Sequence, residues 1–179
     1  MNILRDTADH DATLDARLRD FLLVAEVDGG SRFAEALFRR KYNDSAPPYP
    51  HHLATFYRDD EGRYEFVHYL NFLAEGDMWL IGGACTDGAV LRRLPVARRN
   101  AIAAAGGVML QATRYALRKF GPRKDAVFGH CGDARSFEVL MQAGFQPVDH
   151  PHLLVYWPRP LPESRRAELI ACADALGEF

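Results

Sequence analysis

The spacing of apolar and polar residues divides the chain into segments of two different periods. Residues 64–72 read Tyr-Glu-Phe-Val-His-Tyr-Leu-Asn-Phe, aromatic and β-branched enough to predict a strand. Strands are predicted on either side, over 52–58 and 78–86, with turns at Asp59-Asp60-Glu61-Gly62 and over 74–77. Ahead of them the pattern predicts a short strand over 2–5 and then an amphipathic helix. In that helix Leu14, Leu18, Phe21 and Leu22 recur at helical spacing, with Asp11, Asp15 and Arg17 between them. Asp28-Gly29-Gly30 interrupts, and Ser31 is the expected N-cap of a second helix through Lys41 that buries Phe33, Leu37 and Phe38. Its basic last turn, Arg39-Arg40-Lys41, suits the negative end of a helix dipole whatever the function. A loop with three prolines fills residues 43–50.

Downstream, a long helix is predicted over 99–120, stopped by Gly121-Pro122. A short strand over 125–130 follows, then a helix over 136–143 ending at Gly144. Two closing strands over 145–148 and 153–157 lead to a last helix opened by Pro162, with Leu169, Ile170 and Leu176 on its apolar side. The order β-α-α-β-β-β-α-β-α-β is an antiparallel meander followed by a β-α-β unit. It predicts an α/β (α+β) fold, a mixed and mostly antiparallel central sheet flanked by helices. Gly82-Gly83 inside the third meander strand weakens it unless a bulge or a close backbone approach requires the pair.

Composition narrows the class little. With 179 residues, 48% hydrophobic and 26% charged, the chain suits one globular domain over 1–179. A net charge of −2 gives no bulk attraction to nucleic acid or anionic membranes, so neither is expected as a partner. Cys85, Cys131 and Cys172 are too widely spaced for a disulfide framework or a metal site, and no metal is expected. The start lacks the pattern of a signal peptide, and no apolar run approaches the ~18 residues that cross a bilayer, so a cytoplasmic location is expected.

Three local features then carry a resemblance. The first is Leu80-Ile81-Gly82-Gly83-Ala84-Cys85-Thr86, a glycine-marked strand feeding a loop and a long helix. The second is Gly106-Gly107-Val108-Met109-Leu110, and the third is the run from Ala134 to Gly144-Phe145 followed by a strand. Taken in order, they resemble the GNAT superfamily of N-acyltransferases, most strongly over 64–158, with 159–179 as a C-terminal helical extension. The resemblance implies acetyl-CoA or another acyl-CoA as co-substrate and an amine, on a small molecule or a peptide, as acceptor. It implies a pantetheine-binding backbone at Ala84, Cys85 and Thr86, and a diphosphate site near Gly106 and Gly107. Arg92, Arg93, Arg98 and Arg99 are the candidate phosphate ligands, since guanidinium groups make charge-assisted bonds to such anions. Two departures stand out. With Gly107 matched to the second glycine of the family's phosphate motif, Ala105 falls on the first and Ile102 on its basic position. Leu140 falls where many members carry a tyrosine that protonates the departing thiolate.

The candidate chemical groups have plain alternatives. His130, at the end of a strand opening on the cleft, can act as a base oriented by Asp133, or His130 packs and Asp133 caps the next helix. Cys131 is a nucleophile only if its thiolate is stabilised, and Cys85 reads as core. Alternation puts Glu65, Val67, Tyr69 and Asn71 on one face of their strand, where Glu65 is a candidate base, or that face is simply solvated. Tyr42, Tyr49, His51 and His52 surround the proline loop, expected near the acceptor cleft. Two further readings remain open: a catalytically silent binding module, and an acyltransferase drawing on an acyl carrier protein. A homodimer is also left open.

Overall fold

The structure, a computed structural model, describes residues 13–179. The strand expected over 2–5, and Asp11 of the first expected helix, lie outside the described residues. Among the described residues seven strands form one sheet: β1 (Leu22–Glu26), β2 (His51–Arg58), β3 (Tyr64–Glu75), β4 (Met78–Thr86), β5 (Ala126–His130), β6 (Gln146–Pro147) and β7 (Leu153–Tyr156). Their spatial order is β1-β2-β3-β4-β5-β7-β6. Every pairing is antiparallel except β4 with β5, so the expected mixed and mostly antiparallel sheet is what forms. Helices flank it: α1 (Ser31–Tyr42), α2 (Gly88–Arg93), α3 (Val96–Ala104), α4 (Val108–Phe120), α5 (Ala134–Gln142) and α6 (Glu163–Leu176).

Three stretches differ from the sequence reading, one of them the segment before residue 99, expected as a linker, where α2 forms and α3 begins. Leu14 and Leu18 are buried as expected, but Ala16–Leu18 forms a turn of 3-10 helix where the expected helix would continue. Leu22 onward is the edge strand β1, paired with β2 from Leu22–Tyr57 to Glu26–Leu53. A five-residue apolar run fits either period, and the long-range ladder decides it. The helix expected over 99–120 is two helices, broken where Gly106 and Gly107 take φ of +85° and +90°. Those angles lie in the left-handed region that only glycine enters freely, so the chain turns there and restarts.

One face of the sheet carries the main core, with Tyr115, Ala116 and Phe120 of α4 and Leu140 of α5 against Leu53, Leu70, Phe72, Trp79 and Val127. On the other face α1 covers Tyr69 and Cys85, while α6 covers Leu80, Ala126, Phe128 and Val155. The register of β2 on β3 slips between Thr55 and Phe56, so strict alternation along β3 fails near Val67. Tyr69 and Asn71 are therefore fully buried beneath α1 and the proline loop, on neither a solvated nor a pocket face.

Candidate functional site

β4 and β5 run parallel and pair only from Met78–Ala126 to Ile81–Gly129. Beyond that rung β4 continues to Thr86 while β5 ends at His130, so the two strands part and leave an open edge on β4. The cause is a bulge. Leu70 pairs with Ala84 and Phe72 with Ile81, so one residue of β3, Asn71, faces both Gly82 and Gly83. Both glycines are required by what lies above them. A Cβ on Gly83 would sit 2.7 Å from the Phe38 ring and 2.9 Å from Pro47. One on Gly82 would run into the Tyr49 ring and stand 2.6 Å from Asn71 Oδ1.

Past the bulge, the Asp87 N–H donates to Val67 O at 2.8 Å across β3. In an antiparallel pair the backbone groups alternate in direction, so those of Cys85 also face β3. The N–H and C=O of Ala84 and Thr86 then point to the open edge. There the Ala84 carbonyl accepts from the Tyr42 hydroxyl at 3.0 Å. Thr86 Oγ1 lies 2.8 Å from Nδ1 of His68. His68 is fully buried, and burial pushes its pKa down to about 3, so the ring is neutral. At the apex of the opening, a Cβ on Gly129 would stand 2.6 Å from Leu140 Cδ1, so Leu140 closes the crevice with an apolar wall.

The glycine turn lies at the same end of the molecule. The Trp79 indole N–H donates to Phe120 O at 2.9 Å, pinning the end of α4 beside the start of β4. The N-terminus of α4 consequently sits toward the end where β4 and β5 part. Gly107 N–H donates to Ile102 O at 2.8 Å and Gly106 N–H to Ala103 O at 3.0 Å, closing α3. α4 then begins with first-turn N–H groups that no preceding turn can accept. Gln111 fixes this loop from below, a role the sequence does not signal. Fully buried, it donates through Nε2 to Ala105 O at 2.7 Å and accepts from Asp15 N–H at 3.0 Å.

The charged candidates are mostly engaged in contacts within the fold. Glu65 is exposed and paired with Arg93. Arg98 bonds the Tyr57 hydroxyl at 2.7 Å and Arg58 O at 3.0 Å, pairs with Asp60, and stacks on the Phe21 and Tyr57 rings. Arg99 reaches Arg92 O at 3.0 Å. Arg93 and Arg98 thus bind the β2–β3 hairpin to α2 and α3. Asp133 caps α5, accepting from the N–H groups of Arg135 and Ser136 at 3.0 Å each and from Ser136 Oγ at 2.6 Å. Those bonds, the Ser136 hydroxyl first, hold its carboxyl below the usual range. His130 shares the α6 side of β5 with Phe128, its ring centroid 5.9 Å from His152, 6.4 Å from His150 and 6.1 Å from Phe179. Burial pushes the Cys131 thiol up to about 11, unlike an activated nucleophile. The loop aromatics divide: Tyr49 covers the bulge, whereas His52 is buried with Nδ1 2.6 Å from the Tyr69 hydroxyl. Among the described residues no cluster of His, Cys, Asp and Glu can hold a metal ion. No helix among them is long and apolar enough to cross a membrane.

The architecture is thus a bulged, parted sheet with a glycine turn opening α4. No family model and no curated protein matches the chain. Among solved structures it is similar to AtaTR bound with acetyl-CoA, at 12% identity and a TM-score of 0.44, covering 84% of this chain and 98% of that one. It is similar to the KacTA–DNA complex at 14% identity and a TM-score of 0.42, with the same coverage. A mutant of the AtaT toxin bound to the C-terminus of the antitoxin AtaR and acetyl-CoA gives 12% identity and a TM-score of 0.40. The expectation that nucleic acid plays no part is corrected by these structures, since one of them is a complex with DNA. Overall charge, from which that expectation came, does not report on local patches or on what a bound partner brings.

Proposed function

We propose that this protein is an acyltransferase of the GNAT type, moving an acetyl or longer acyl group from acyl-CoA to an amine. The observation that carries the proposal is the parting of β4 and β5 after the Ile81–Gly129 rung, beside the Gly82-Gly83 bulge. An extended amide chain such as pantetheine can pair with the open-edge groups of Ala84 and Thr86 as an added strand would, sharing the Ala84 carbonyl with the Tyr42 hydroxyl. A diphosphate can meet the free N–H groups opening α4 behind Gly106-Gly107, where the helix dipole favours an anion. The acceptor amine, once neutral, attacks the thioester carbonyl, whose oxygen gains negative charge that a backbone N–H of the bulged strand can stabilise.

The test is calorimetric titration with acetyl-CoA and with a long-chain acyl-CoA. We expect a Kd on the order of micromolar for at least one donor, weakened severalfold by Gly107→Ala, which forces the helix opening out of its geometry. Heat from neither donor overturns the reading and redirects the search to a protein partner.

A further inference from the structure

Breaking a thioester leaves a thiolate that must collect a proton, and the crevice wall at Leu140 has none to give. The opposite side of the open edge does. α1 ends at Tyr42, where Asn43 takes the left-handed conformation at φ 56° and turns the chain away. The last side chain of the helix is left reaching over β4, its ring 5.3 Å from Phe38 and under Lys41 Nζ at 5.2 Å. Its hydroxyl donates to Ala84 O at 3.0 Å, on the strand edge that β5 has vacated. Tyr42 is 48% exposed, so a ligand lying on that edge touches it without any rearrangement of the core. Of the other hydroxyls at the bulge, Thr86 Oγ1 is committed to His68, and Tyr49 lies over the face of Gly82 and not on the Ala84 carbonyl.

We propose that Tyr42 is the acid that protonates the leaving thiolate, a role that rests on the acyl-CoA reading above. The nucleophile bonds to the thioester carbonyl carbon and the C–S bond breaks, its electron pair going to sulfur. The Tyr42 O–H turns from Ala84 O to the sulfur and gives its proton, releasing the free thiol. The phenolate recovers a proton, through water, from the one the nucleophile sheds. Burial, with Cys85 beside it, raises the phenol's pKa, so the proton is in place at neutral pH.

The experiment follows acyl transfer to hydroxylamine, comparing acetyl-CoA with the acetyl ester of an aromatic thiol whose thiolate needs no proton. Calorimetry gives acetyl-CoA binding alongside. Tyr42→Phe should leave binding within about 2-fold and lower turnover of acetyl-CoA by roughly 100-fold, the usual size of a lost general acid. Turnover of the aromatic thioester should change little. An equal loss with both donors, or no loss, overturns the role of Tyr42 and leaves the acyl-CoA reading intact. Wild-type protein that binds acetyl-CoA but transfers nothing overturns both the role and the transfer chemistry. Failure of the wild type to bind acetyl-CoA overturns the acyl-CoA reading itself.

Discussion

Gly129→Ala tests the apex of the crevice directly. Gly129 is the last residue of β5 paired with β4, and its φ is not in the left-handed region, so alanine meets no backbone penalty there. The cost comes from contact alone. The added methyl carbon would lie 2.6 Å from Leu140 Cδ1, with Ile81 Cδ1 at 3.8 Å and Phe145 Cε1 at 3.9 Å. Carbon atoms pack at about 3.5–4.0 Å, so Leu140 must retreat by about 1 Å. At 2% exposure within the main core it has little room to do so. Overpacking of this kind costs about 1–3 kcal/mol, which for a chain of this size lowers Tm by roughly 2–12 °C. The partner is named, so a double-mutant cycle isolates the effect. Leu140→Val alone should cost about 1 kcal/mol, yet in the Gly129→Ala background it should restore stability, with a coupling above about 0.5 kcal/mol. Urea denaturation of the four proteins measures it. Additive effects, or a Gly129→Ala variant as stable as wild type, would show that Leu140 does not close the crevice.

Other consequences follow from the same geometry. Gly107→Ala meets open space, but its φ of 90° and ψ of 166° form a conformation nearly confined to glycine that costs alanine about 1–3 kcal/mol, whereas Gly106→Ala, also at positive φ, adds a collision with Leu110. Urea midpoints should therefore fall further for Gly106→Ala, and the reverse order would refute the reading of the turn. His68 is held neutral in the fold, its pKa lowered from 6.5 to about 3, while the unfolded chain binds its proton below about 6.5. Its share of stability is thus complete above pH 6.5 and is lost as pH falls from there toward 3, approaching about 1.4 kcal/mol per pH unit. His68→Gln should flatten the stability–pH curve by one proton over that window, and an unchanged slope would contradict the burial argument. Cys172 is exposed while Cys85 and Cys131 are buried. A disulfide reagent at pH 8 should accordingly titrate one thiol quickly in the native protein and three in denaturant.

Legibility in the sequence followed the range of the forces involved. The meander was readable because its strands are long and its turns carry glycine and acidic residues: 52–58, 64–72 and 78–86 were expected, and His51–Arg58, Tyr64–Glu75 and Met78–Thr86 form. The bulge was readable as well, since two glycines within a strand need a reason and close packing of Phe38, Pro47 and Tyr49 supplies it. β1 was not readable. The apolar run from Phe21 to Ala25 fits either period, and its strand character exists only through pairing with β2. Gly106-Gly107 was visible as an anomaly, but a single helix with two poor residues and two helices around a turn share one apolar pattern. Only the φ angles separate them.

The proposed site was the least readable part, for a physical reason. Sequence reasoning ranks side chains by chemical capacity, so it selected His130, Asp133, Glu65 and the arginines between 92 and 99. Each of those capacities is also what a fold uses to tie its own ends: Asp133 caps α5, Glu65 holds Arg93, and Arg98 clasps the β2–β3 hairpin. The groups left facing the open edge are mainly backbone, at Ala84 and Thr86, and backbone groups leave no mark in a sequence except through the glycines that free them. Tyr42 was noted only as part of a loop. Its reach to Ala84 depends on where α1 stops, at the left-handed Asn43, and on how Leu37 and Phe38 seat that helix on the sheet. The function proposed for this opened backbone is therefore recognised through what makes room for it, here Gly82, Gly83, Gly106 and Gly107, before any titratable side chain identifies it.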